Sequence, residues 1–134
     1  MKYLLDTCVI SEFTKRKPNQ KVLMFLDSIQ PENLFLSVLS VGEIQKGISK
    51  LDNLEKRNEL FHWMNHILIQ NFLGNLLDID FSVVQVWGEI SGLYEKKGIV
   101  LPVIDSLLVA TCIKHNLVFM TRNVNDIKVL SAPI

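Results

Sequence analysis

Four acidic residues stand where an apolar segment meets the protein surface. Asp6 directly follows the apolar run "KYLL", and Asp126 lies five residues beyond the end of "LVFMT". Asp105 lies near the start of "VIDSLLVATCI", and Glu43 lies one helical turn beyond Ser40 in "SVLSVGEIQKG". Because sites in open parallel sheets form outside the carboxyl ends of the strands, we expect these four carboxylates to converge.

Four converging carboxylates would require a cation. Their like charges repel and each loses hydration, and a divalent ion relieves both costs. Oxygen ligands suit hard ions such as Mg²⁺ or Mn²⁺, and no cysteine or histidine is placed to favour a softer metal. Mg²⁺ retains several waters, and one of them can be activated to attack a phosphodiester. The chemistry predicted from these residues is metal-dependent hydrolysis.

Each of these acids also has an ordinary structural role open to it. Asp6 is placed to cap a following helix, and Asp105 is placed to interact with a helix dipole. Glu43 has the spacing of a solvated helix residue that faces nearby lysines, and Asp126 lies in the turn-like "RNVND". Spacing alone leaves both interpretations open for every one of the four.

Apolar runs and helical stripes alternate along the chain. The expected strands span residues 2–5, 34–37, 76–79 and 117–121. The expected helices span residues 9–15, 21–29, 39–48 and 54–72, a segment capped by Asp80 and closed by Lys96-Lys97-Gly98, and a nearly all-apolar segment from Pro102 to His115. Strands separated by helices favour a parallel sheet with helices on both faces. We therefore expect an α/β protein, a three-layer α/β/α sandwich with a central, mainly parallel sheet.

Composition favours a globular, cytoplasmic protein. The 134 residues fit one domain, residues 1–134, large enough to bury a core without disulfides or structural metal. Hydrophobic residues make up 49% of the chain, too many for a disordered protein and too interrupted for a membrane span. No secretory signal pattern follows Met1-Lys2. Cys8 and Cys112 lack the spacing of a zinc site, and we expect both to be reduced.

The charges balance, with 14 Lys and Arg against 14 Asp and Glu. This excludes a strongly basic nucleic-acid coat, although it leaves a local basic surface open. The basic residues that would steer a nucleic acid towards the acids are Lys15, Arg16, Lys17, Lys46, Lys50 and Arg122. Of these, we assign Arg122 and Lys46 to substrate binding. The alternative for such residues is ordinary solvated surface.

The segments "LLDTCVISEF", "LSVLSVGEIQKGI", "LPVIDSLLVATC" and "FMTRNVND", taken in order, resemble the PIN-domain family, in particular its VapC-like toxin branch. The resemblance runs over almost the whole chain. It implies an endoribonuclease whose catalytic, metal-binding acids are Asp6, Glu43, Asp105 and Asp126, with the polar neighbours Thr7, Ser40, Thr121 and Asn123. It also implies an intracellular toxin that forms a homodimer and is held inactive by a small antitoxin protein.

Three features depart from the pattern of that branch. Cys8 stands where the branch usually has asparagine, which removes an amide and adds a thiol able to oxidise or bind a softer metal. Ile127 replaces the usual phenylalanine after Asp126, and the tail "KVLSAPI" is short. All four acids remain, so the resemblance implies an active nuclease.

Other functions compete with this interpretation. His62 and His66 in "HWMNH" have a metal-compatible spacing, but Trp63 stands where a zinc protease needs glutamate. "DTCVI" is similar to the start of aspartyl-phosphate enzymes, but Cys8 replaces their second aspartate. The non-enzymatic alternative is a module whose acids hold a metal structurally or contact a basic partner.

Overall fold

A mixed sheet and seven helices make up the fold in the computed structural model, which describes the backbone of residues 1–123 and 126–130 and the side chains of residues 1–122. The strands are β1 (Tyr3–Leu5), β2 (Leu34–Ser37), β3 (Leu76–Leu77), β4 (Val118–Asn123) and β5 (Asp126–Leu130). The helices are α1 (Thr7–Ile10), α2 (Gln20–Asp27), α3 (Val38–Ser49), α4 (Leu54–Trp63), α5 (Ile69–Asn71), α6 (Phe81–Glu95) and α7 (Val103–His115). Short 3₁₀ helices span Ser11–Thr14 and Pro31–Asn33, and a π turn spans Met64–Leu68.

The strand order is β3-β2-β1-β4-β5. Strand β1 pairs in parallel with β2 and β4, and β2 pairs in parallel with β3, whereas β5 is antiparallel to β4. The four parallel strands therefore end at the same edge of the sheet. The prediction of a central, mainly parallel sheet is confirmed, and Asp6 follows its middle strand.

The core lies on both faces of the sheet because consecutive residues of a strand point to opposite sides. In β1, Leu5 belongs to one buried cluster with Val9, Leu36 and Met120. Its neighbour Leu4 belongs to a second cluster with residues of α7 and the segment that leads into β4, namely Leu108, Cys112 and Leu117. Helices thus cover both faces, which explains why β1 is an unbroken apolar run.

Polar side chains set the starts of the helices that follow the strands. Ser37 Oγ accepts a hydrogen bond from the Leu39 N–H at 3.0 Å as α3 begins. Asp80 Oδ1 accepts one from the Val83 N–H at 3.0 Å, which confirms the predicted cap of α6. Helix α7 ends at Asn116, which adopts a left-handed conformation with φ of 55°. Local sequence chemistry therefore fixes these boundaries.

The structure differs from the sequence-based expectation in three places. Strand β5 pairs with β4 where a turn and a tail were expected, because the alternating sequence "DIKVL" suits an edge strand. The helical run predicted over residues 54–72 contains the π turn Met64–Leu68. Helix α7 is not buried all round, because Val103, Ile104 and Asp105 are exposed in its first turn. Within the described part of the chain, no helix combines the length and apolarity needed to cross a membrane.

Candidate functional site

Asp6 lies at the carboxyl end of the central strand, where the chain turns into α1. Its backbone N–H donates to the Met120 carbonyl at 2.8 Å, which ties it to β4. The carboxylate is half-buried and caps α1, since Oδ1 accepts from the Thr7 N–H at 2.7 Å. The other oxygen, Oδ2, accepts from the Thr121 hydroxyl at 2.7 Å. Asp6 therefore combines the capping role with an ordered position at the strand edge.

Thr7 connects this strand edge to α3. Its hydroxyl donates to Glu43 Oε1 at 2.6 Å, and the buried Ser40 Oγ lies 2.9 Å from the same hydroxyl. Glu43 is half-buried, one turn beyond Ser40 on the same helix. The carboxylates of Asp6 and Glu43 are thus both hydrogen-bonded to Thr7, the first through its backbone N–H and the second through its hydroxyl. We call Asp6, Thr7 and Glu43 the strand-edge site.

The Cys8 thiol borders the strand-edge site. Its Sγ donates to Asp6 Oδ2 at 3.3 Å and lies 3.6 Å from Thr121 Oγ1. Partial burial raises the pKa of the Cys8 thiol, and the charge of Asp6 acts in the same direction, although contacts with the Thr121 hydroxyl and the Arg122 N–H oppose them. Cys8 is therefore a neutral thiol that donates to Asp6.

We expect the folded protein to present one reactive thiol. Cys8 is exposed, whereas Cys112 is fully buried and burial raises its pKa to about 12. The reagent 5,5′-dithiobis(2-nitrobenzoate) should therefore label one cysteine in native buffer and two in denaturant. Cys8→Ser should abolish labelling of the folded protein. Rapid reaction of both thiols in native buffer would contradict the burial of Cys112.

A second charged cluster, which sequence reasoning missed, lies behind the strand-edge site. Glu12 is 1% exposed and accepts hydrogen bonds from Lys15 Nζ and, at 2.9 Å, from the Asn19 N–H. Its carboxylate also forms an ion pair with Arg122 on β4. Burial opposes ionisation, but these hydrogen bonds and the charges of Lys15 and Arg122 outweigh it and lower the pKa of Glu12. The Glu12 to Lys15 spacing was the sole local signal, because Arg122 lies 110 residues away.

The other predicted site residues show no described contact with the strand-edge site. Asp105 is exposed in the first turn of α7 and lines a cavity of about 150 Å³ with Ile90 and Tyr94. Lys46 is exposed on α3. The side chains of Asn123 and Asp126 lie outside those that the structure describes, although their backbones pair between β4 and β5. Roles for these residues stay predictions.

One largely apolar cavity adjoins the strand-edge site, and a second shares Trp63 with the first. The first, about 210 Å³, is lined by Thr7 and Glu43 together with Leu60 and Trp63. The second, about 420 Å³, also contacts Trp63 and includes the half-exposed Phe13. The carboxylate of Glu43 therefore lies at the end of a mostly apolar surface that continues past Trp63.

The donor set of the strand-edge site suits a hard cation. Carboxylate and hydroxyl oxygens surround it, and Mg²⁺ is often bound by one or two carboxylates with several waters. Among residues 1–122, no three His, Cys, Asp or Glu side chains are grouped closely enough to hold a metal ion. Among the described residues, Asp105 therefore does not form one cluster with Asp6 and Glu43.

Comparison with known proteins identifies the family. Residues 3–130 match the PIN domain family. The chain is 32% identical to toxin FitB of Neisseria gonorrhoeae and 26% identical to VapC ribonuclease Y4jK of Sinorhizobium fredii, each over 120 residues that cover 90% of this chain and 86% of the relative. The crystal structure of FitAcB from Neisseria gonorrhoeae superposes with a TM-score of 0.84 at 32% identity, covering 92% of this chain and 88% of that one. These matches span nearly the whole chain and confirm the resemblance seen in its motifs, so the protein belongs to the PIN-domain family.

Proposed function

We propose that this protein is a metal-dependent endoribonuclease, formed by residues 1–134 as a single domain, and the toxin of a toxin-antitoxin pair. The observation that carries the proposal is the strand-edge site, in which Thr7 binds both acids, Asp6 through its backbone N–H and Glu43 through its hydroxyl. Similarity to proteins named toxin FitB and VapC ribonuclease supports the same activity.

The site residues divide into ligands and orienting groups. Asp6 and Glu43 are the proposed central ligands of Mg²⁺ or Mn²⁺, with Asp105 and Asp126 as the further proposed acids. When bound, such a cation lowers the pKa of a coordinated water and stabilises charge that develops on the phosphate. The Thr7 hydroxyl occupies one lone pair of the Glu43 carboxylate and leaves the others for a ligand. On Asp6, the Thr121 hydroxyl and the Cys8 thiol occupy Oδ2 and the Thr7 N–H occupies one lone pair of Oδ1, which leaves the second lone pair of Oδ1 for a ligand. The chain thereby holds both acids in fixed orientations before substrate arrives.

The proposed partners follow from the surroundings of the site. RNA is the substrate, and the exposed Lys46 and the ion-paired Arg122 are proposed to contact its phosphates. The cavities that meet at Trp63 offer an apolar surface to a small antitoxin protein. We further propose a cytoplasmic homodimer.

Cleavage of a broad RNA pool tests the activity. The purified protein should cut RNA in Mn²⁺, stop in EDTA, and resume when Mn²⁺ is restored. Cleavage that continues unchanged in EDTA would exclude the metal mechanism.

A non-catalytic metal-binding or partner-binding module is the second candidate. It is favoured by the finding that, within residues 1–122, the acids do not form a cluster of three. Saturable Mn²⁺ binding without cleavage of any RNA in the pool would support this module over the nuclease.

Thr7→Val tests the orienting role of the hydroxyl. Valine keeps the shape of threonine but removes the donor to Glu43 Oε1, and loss of a group that orients a metal ligand costs about 10–100-fold in activity. We expect kcat/KM for RNA cleavage to fall by about that factor.

Thr14→Val provides a matched control. Thr14 lines the same cavity, but its hydroxyl donates to the Ser11 carbonyl rather than to an acid. Its cleavage rate should stay near that of the wild type. Equal rates for wild type and Thr7→Val would contradict the orienting role.

A further inference from the structure

The buried carboxylate of Glu12 joins three separate parts of the chain. Its partners are Lys15 in the turn after α1, the backbone N–H of Asn19 at the start of α2, and Arg122 on β4. A carboxylate that is 1% exposed is tolerated when it is paired and hydrogen-bonded, and these three donors meet that condition. Glu12 therefore fixes where the end of β4 lies relative to α1.

The end of β4 is the segment that contacts Asp6. Thr121, whose hydroxyl donates to Asp6 Oδ2 at 2.7 Å, directly precedes Arg122. The Met120 carbonyl accepts from the Asp6 N–H at 2.8 Å, and the Arg122 N–H hydrogen-bonds the Cys8 thiol. Three consecutive residues of β4 thus touch the Asp6 segment, and the side chain of the last is held by Glu12.

We propose that Glu12 is a positioning residue of the strand-edge site, acting through Arg122 to set Thr121 against the carboxylate of Asp6. This inference rests on the proposed role of Asp6 as a metal ligand. The same ion pair holds the part of β4 that pairs with β5, because Arg122 pairs with Ile127 and Asn123 pairs with Asp126 along the two backbones. Glu12 therefore also holds the strand with which Asp126, the fourth proposed acid, is paired.

A purely stabilising role for this ion pair makes a different prediction. Breaking the buried ion pair of Glu12 and Arg122 should lower the temperature of unfolding in either case. If stability were its whole contribution, a variant kept well below its unfolding temperature would bind metal like the wild type. If Glu12 positions Thr121 and Asp6, metal affinity falls in the folded protein.

Mn²⁺ titration separates these roles. Free Mn²⁺ would be measured by electron paramagnetic resonance with wild type, Glu12→Gln and Leu108→Ala, at a temperature where all three are folded. Leu108 is fully buried in the cluster that lies on the α7 side of the sheet, so its truncation supplies destabilisation remote from Glu12. Mutation of a residue that hydrogen-bonds a metal ligand typically lowers metal affinity about 10–100-fold. We therefore expect the Mn²⁺ dissociation constant to rise about tenfold in Glu12→Gln and to stay at the wild-type value in Leu108→Ala.

Equal affinity in wild type and Glu12→Gln would overturn the positioning role. An equal rise of the dissociation constant in Glu12→Gln and Leu108→Ala would also overturn it, because destabilisation alone would then account for the weaker binding. If the wild type itself bound no Mn²⁺, the proposed metal chemistry would fail, and a metal-free measurement would decide the role of Glu12.

Amide hydrogen exchange in metal-free buffer is that measurement. The Asp6 N–H donates to the Met120 carbonyl of β4. The Leu36 N–H of β2 donates to the Asn75 carbonyl, which lies beside the edge strand β3 and away from β4. Glu12→Gln should accelerate exchange at Asp6 more than at Leu36. Equal acceleration at both amides, as expected for Leu108→Ala through global unfolding, would overturn the proposal.

Discussion

Asp6→Asn is expected to lower RNA cleavage by more than about 100-fold while the protein stays folded. Loss of an outer partner of a metal ligand already costs about 10–100-fold, so loss of a ligand charge should cost more. Asparagine keeps an oxygen that can cap α1 at Thr7, and removing the charge relieves repulsion from Glu43. The thermal unfolding midpoint in metal-free buffer should therefore be at least that of the wild type.

Asp78→Asn is the matched control for this experiment. Asp78 follows β3 at the same edge of the sheet, as Asp6 follows β1, but it is exposed. The control should cleave RNA at the wild-type rate. Cleavage by Asp6→Asn at the wild-type rate would remove Asp6 from the site. A strong loss of stability in Asp6→Asn would indicate that capping of α1 is its main role.

Glu12→Ala is expected to have the largest effect on stability. Removing one partner of a buried ion pair typically costs about 3–5 kcal/mol. Here the change would remove the carboxylate that pairs with the Arg122 side chain, which is 16% exposed, and that accepts from the Asn19 N–H. Urea unfolding at neutral pH should show a loss of about that size. Glu32→Ala, at an exposed glutamate, should change the unfolding free energy little.

The contribution of Glu12 to the free energy of unfolding should decrease as the solution becomes acidic. Burial opposes its ionisation, but the hydrogen bonds from Lys15 and Asn19 and the charges of Lys15 and Arg122 hold its folded-state pKa below the ordinary value of 4.5. A lowered pKa means that the stabilisation is fully present above pH 4.5 and is lost as pH falls through the folded value. The difference in unfolding free energy between wild type and Glu12→Gln should therefore shrink below pH 4.5. A difference that grew on acidification would contradict this assignment.

Apolar runs and capping residues in the sequence predicted the parts of the fold that depend on residues adjacent in the chain. The apolar run that ends in Asp6 predicted a buried strand, and Leu4 and Leu5 are indeed buried on opposite faces of the sheet. Asp80 could be recognised as a helix cap from the residues that follow it. The order of apolar and polar segments was enough to predict the layers and the edge at which Asp6 lies.

Contacts between distant segments could not be predicted from such patterns. Thr7 and Glu43 are 36 residues apart, and Glu12 and Arg122 are 110 residues apart, so their contacts depend on which strands become neighbours. Asp105 lies on the expected helix but is exposed, because the first turn of α7 projects beyond the buried part of that helix. Sequence spacing located the acids on their elements and could not fix the distances between them.

Binding of Mn²⁺ to wild type and Asp6→Asn, compared in the same titration, tests the central claim most directly. The strand-edge site predicts saturable binding by the wild type and a large loss of affinity in the variant, with both proteins folded as judged by circular dichroism. Equal binding by the two proteins, or no binding by a folded wild type, would contradict a metal site built on Asp6.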